Sequence, residues 1–134
     1  MNIKNIFILL IFSLALFSLG CKKSPPSPAQ EENLVIDLDP TVGSTIIKSM
    51  GTSYDFTLRI TSKMPSQGVS IKTTVTRESD NLIVYSQTSQ TSTTNTALGI
   101  NNLPFNEVTN VVIEVVSKTK ATNTASKTFK LVKK

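Results

Sequence analysis

The chain has no histidine and no tryptophan, one cysteine, two tyrosines and five glycines, each standing alone. Without histidine there is no imidazole to act as a general base near neutral pH and no His-liganded metal. The single thiol, Cys21, closes no disulfide within the chain and builds no all-cysteine zinc centre. Isolated glycines make no phosphate-cradling loop or dinucleotide turn, and no G-x-S-x-G occurs. The absences therefore point away from catalysis. What remains is 134 residues rich in Ser and Thr, with a formal charge of +5, room for one modest domain with an appendage.

The long apolar run comes first. Lys4 lies in a short polar start, and Ile6 to Leu19 (IFILLIFSLALFSL) follows with only Ser13 and Ser18 interrupting it. Fourteen helical residues span about 21 Å against a hydrocarbon core of about 30 Å. The run is short for a stable transmembrane helix and suits an export signal over residues 1–20. An uncleaved anchor, or a plain signal with an incidental thiol, stays open. Gly20 and Cys21 follow at once, and here the sequence resembles a bacterial lipoprotein signal, carried by Ser18-Leu19-Gly20-Cys21. The usual box has Leu where Ser18 stands. The resemblance implies cleavage between Gly20 and Cys21, acylation of Cys21 with diacylglycerol and a further fatty chain, and export to the cell envelope. Lys22 stands where an Asp would imply retention at the inner membrane, so the outer membrane is expected. One acyl chain binds a bilayer only reversibly, whereas two or more hold it.

Residues 21–33 then read as the acylated cysteine and a flexible linker. Pro25, Pro26 and Pro28 lack amide donors and favour extended polyproline II. Lys22 and Lys23 lie where anionic headgroups would meet them.

From Leu34 the apolar period is two, not 3.6. Tyr54, Phe56, Leu58 and Ile60 alternate with polar residues, as do Val69, Ile71 and Val75. Val111, Ile113 and Val115 form a third row, with Val112 and Val116 making that strand apolar on its second face, the mark of a central strand. Ala125, Phe129 and Leu131 form a fourth row, interrupted by Lys127. Shorter strands are expected over Leu34–Leu38, ended by Asp39-Pro40, over Ser44–Lys48 at an edge, and over Thr93–Ile100. Leu82–Gln87 should form a hairpin with the Val69 strand across Ser79-Asp80-Asn81. Seven or eight short antiparallel strands over 34–134, in which Val, Ile and Thr suit the pleat, predict an all-β two-sheet sandwich. Leu98 to Pro104, followed by Val111-x-Ile113-x-Val115, is similar to bacterial immunoglobulin-like or fibronectin-type-III-like domains. The Tyr and Trp common in the latter have no counterpart here.

Few residues carry chemistry. Ser117 to Lys120 fits S-x-x-K and Ser79-Asp80-Asn81 fits S-D-N, two signatures of penicillin-recognising enzymes, yet their order is reversed and K-T-G is missing. Asp37 and Asp39 share one strand face and are the best calcium candidates, though calcium wants six to eight oxygens and these two supply few without distant help from Asp55 or Asp80. The late lysines, Lys118, Lys120, Lys127, Lys130, Lys133 and Lys134, do not share one face, so no groove for nucleic acid is expected. The tract Gln87 to Thr96 reads as a polar loop running into an edge strand, with a Thr/Ser surface for glycans as the alternative. Tyr85 is then the one exposed aromatic for sugar stacking. The expectation is a non-catalytic, lipid-anchored envelope module without cofactor, its partner an envelope protein or glycan met through an edge or through the loops Met64–Gly68 and Thr119–Asn123. The rival is a carbohydrate- or calcium-dependent recognition module of a surface complex.

Overall fold

The computed structural model describes residues 30–134, so Gly20, Cys21 and the linker prolines lie outside the described residues. Eight strands follow one another: β1 (Ile36–Asp39), β2 (Ile47–Ser49), β3 (Ser53–Ile60), β4 (Val69–Arg77), β5 (Ile83–Thr91), β6 (Asn95–Asn101), β7 (Val108–Ser117) and β8 (Thr124–Lys133). No helix occurs among the described residues. The strands form a three-stranded sheet, β1-β3-β6, and a five-stranded sheet, β2-β8-β7-β4-β5. The alternating rows face each other between the sheets, and the architecture is an all-β two-sheet sandwich.

The rows pack as their period requires. Phe56, Leu58 and Ile60 from β3 meet Val69, Ile71 and Val75 from β4, Val111, Ile113 and Val115 from β7, and Phe129 and Leu131 from β8, all buried. Tyr54 and Phe56 stack at 5.9 Å between ring centroids, and Phe129 of the other sheet meets Phe56 edge-on at 6.1 Å, the offset geometries that aromatic quadrupoles favour. β7 stands third of five, with Val112 and Val116 half-buried on its second face, as its apolar second face predicts.

Three details depart from the sequence reading. β2 starts three residues later than Ser44 and pairs with β8 in parallel, Ile47 opposite Leu131, whereas all other pairs are antiparallel. After Asp39-Pro40 the chain changes sheets without turning back, so β2 keeps the direction of β1 and meets a strand running the same way. The polar tract from Gln87 is strand rather than loop: β5 continues to Thr91, only residues 92–94 turn, and β6 begins at Asn95. The compact unit also begins at Glu31, not Leu34.

Candidate functional site

The chain enters the sandwich at the end that carries the β3–β4 and β7–β8 connections, and one side chain organises that entry. Asn123, buried at the close of the β7–β8 turn, accepts from the Leu34 amide at 2.8 Å, and its own amide donates to Glu31 Oε1 at 2.6 Å and to the Glu32 carbonyl at 2.8 Å. Lys63 N donates to Glu32 Oε2 at 3.2 Å, and Val35 N to Ser62 Oγ at 3.1 Å. No periodicity singles out Asn123, because its partners lie about ninety positions earlier. Its one visible signal is an Asn in a turn, which is ordinary.

The two loops expected to contact a partner are joined at this same end. Thr119 Oγ1 lies 3.2 Å from Ser66 Oγ and accepts from Gln67 N, while Lys118 N donates to the Gly68 carbonyl at 3.1 Å. They form one surface beside the point where the chain arrives. The opposite end presents the β2–β3, β4–β5 and β6–β7 connections, and there Met50 is 81% and Phe105 65% exposed, with Leu82 and Ile83 more than half exposed.

The Ser/Lys signature resolves as a turn. Ser117 is 2% exposed, and its Oγ accepts from Thr119 N and Lys120 N, each at 3.1 Å. The hydroxyl caps the turn after β7 while Lys120 sits exposed on that turn. Ser79-Asp80-Asn81 forms the β4–β5 turn, where Asn81 takes φ 58°, a left-handed conformation that Asn tolerates. Leu82 N donates to Asp80 Oδ1 at 3.0 Å and Arg77 pairs with its carboxylate at 2.6 Å. The amide hydrogen bond first, then the guanidinium, hold the Asp80 carboxyl below its ordinary value.

Asp37 and Asp39 do share the outer face of β1, but each meets a cation of the protein. Lys127 Nζ lies 3.8 Å from Asp37 Oδ1, and Arg59 bonds Asp39. Asp55, on the same outer face, accepts from Ser53 Oγ at 3.2 Å and lines with Asp39, Thr57 and Ala97 a shallow open hollow. Asp80 belongs to the other sheet and does not approach them. Among the described residues no three His, Cys, Asp or Glu are grouped so as to hold a metal ion.

Tyr85 is not the free aromatic that strand counting gives. It is half-buried against the core, and its hydroxyl donates to the Gly99 carbonyl of β6 at 2.8 Å. It thus ties β5 of the large sheet to β6 of the small one along one open side. On the other side Lys127, standing in the inward row of β8, reaches around to Asp37 of β1. Both residues singled out by sequence close the sandwich instead. Lys130 pairs with Glu78 and Lys134 with Asn106, so the late lysines are dispersed as the alternation requires.

Among the described residues no helix is long and apolar enough to cross a membrane. Set against known proteins, the chain matches no family model, and no curated protein matches it either.

Proposed function

We propose that this protein is a lipid-anchored lipoprotein of the bacterial cell envelope, moored at the outer membrane through Cys21, whose immunoglobulin-like sandwich is a non-catalytic binding or structural module. The observation that carries the reading is the only thiol of the chain standing directly after Gly20 and a fourteen-residue apolar run. The compact unit beginning at Glu31 supports it, since nine residues then separate Cys21 from the fold, three of them proline. The strand order, with the successive strands β1 and β2 on opposite sheets, supports kinship with immunoglobulin-like domains. Recognition of sugar or calcium has less support, because Tyr85 is engaged with Gly99 and both β1 aspartates with cations.

In this reading the protein works by display. Lipid holds the end bearing Glu31 toward the bilayer, and the far end, with Met50, Leu82 and Phe105 exposed, faces the partner. Cells fed radiolabelled palmitate test the mooring. Label is expected in the wild-type protein and absent from Cys21→Ala, and equal label in both overturns it.

A further inference from the structure

Four strands border the two sheets, and three of them are blunted. β1 has four residues and ends at Asp39-Pro40, and β2 has three. β6 has its carbonyls at Asn95 and Gly99 taken by the hydroxyls of Thr93 and Tyr85. β5 is different. It runs nine residues, IVYSQTSQT, without a proline or a charged side chain, and among the described residues no side chain bonds a backbone group of Ile83–Thr91. An edge strand leaves alternate N–H and C=O groups unpaired, and long edges normally carry lysine, proline or a bulge that discourages pairing. The bulge here sits at the start: the register passes from Val75–Tyr85 to Thr76–Ile83, leaving Val84 extra. Beyond it, Tyr85–Thr91 is seven residues of regular strand.

We propose that this edge pairs antiparallel with the same edge of a second copy, on a two-fold axis at Thr88, joining two five-stranded sheets into one of ten strands. Thr88 is the midpoint of the regular stretch, so Thr88 meets Thr88, Gln87 meets Ser89, Ser86 meets Gln90 and Tyr85 meets Thr91. The Thr–Thr pair at the axis is favourable, the flanking pairs are uncharged, and no like charges are brought opposite one another. The nearest cation in the row is Lys72, opposite Thr88 on β4. Across the axis its counterpart stands three strand spacings away, about 14 Å, beyond the Debye length of about 8–10 Å at 0.10–0.15 M salt. The chain's own linker is a poor occupant, because Pro25, Pro26 and Pro28 have no amide hydrogen to offer.

Sedimentation equilibrium of the full chain in non-ionic detergent tests this. Thr88 is exposed on the outer face, so Thr88→Lys, though it faces Lys72 across β4 at a cost of about 1 kcal/mol or less, keeps the domain folded while setting cations against each other at the axis. The same change at exposed Thr128, three strands away in β8, adds the same charge away from the axis. Wild type is expected to be a dimer, Thr88→Lys to raise the dissociation constant about tenfold or more, and Thr128→Lys to leave it within a factor of about two. A monomeric wild type overturns the proposal. So does equal weakening by both variants, or association indifferent to Thr88→Lys, as pairing through the N-terminal apolar run would give.

Discussion

At the scale of single residues, the two tyrosines separate by what their hydroxyls find. Tyr85 donates to Gly99, whereas Tyr54 OH is shielded from solvent and has no hydrogen-bond partner among the described residues. The ring of Tyr54 belongs to the aromatic cluster with Phe56 and Phe129, so packing places the hydroxyl where nothing answers it. Burial raises the Tyr54 phenol above its ordinary 10.0. The native state therefore keeps this proton at a pH where the unfolded chain has released it. That contribution is present in full below about 10 and is lost as pH rises through the raised folded value. Tyr54→Phe removes both the orphan hydroxyl and the titration. Chemical denaturation at pH 7 should find it neutral to about 1 kcal/mol more stable, with a shallower loss of stability than wild type above pH 10.

At the scale of elements, the glycines show which turns are constrained by backbone. Gly68 enters β4 with φ +74°, and a Cβ there would lie 2.4 Å from the Thr91 carbonyl oxygen. Both conformation and space demand glycine. Gly99 sits in β6, where a Cβ would meet only the Asp55 carboxylate, at 2.7 Å, an exposed side chain that can swing aside. Gly68→Ala is thus expected to cost at least about 1–2 kcal/mol from the left-handed conformation alone, and Gly99→Ala less than about 1 kcal/mol, as thermal or urea unfolding will show. β2 teaches a related lesson. Its residues have the composition of a strand, but the partner and the parallel sense come from where Pro40 sends the chain, which strand propensity does not encode.

At the scale of the whole molecule, remote segments are joined by a few polar side chains around the apolar rows. Asn123 holds Glu31, Glu32 and Leu34 from a turn at the other end of the chain. Asn123→Ala leaves the buried Leu34 amide without its acceptor, so a loss of about 1–3 kcal/mol is expected in urea unfolding. Hydrogen exchange should show the Leu34 amide losing protection by a similar free energy, while amides of β7 change only as far as global stability does.

The period-two rows made the all-β class, the central place of β7 and the β4–β5 hairpin legible from residues alone, because burial of alternate side chains is written locally. The same locality explains the misplacements. Tyr85 and the Asp37/Asp39 pair look free on their own strands, and only the approach of β6, β8 and β3 gives them Gly99, Lys127 and Arg59. Gln87 to Thr91 looks like loop by composition, yet pairing with β4 makes it strand. Alternation and the N-terminal pattern are properties of neighbouring residues, so the sequence by itself determined the class of fold and the expectation of a lipid mooring at Cys21. Which edges are capped, which charges are paired and which strand is left open depend on contacts between residues far apart in the chain, and those only the tertiary structure decided.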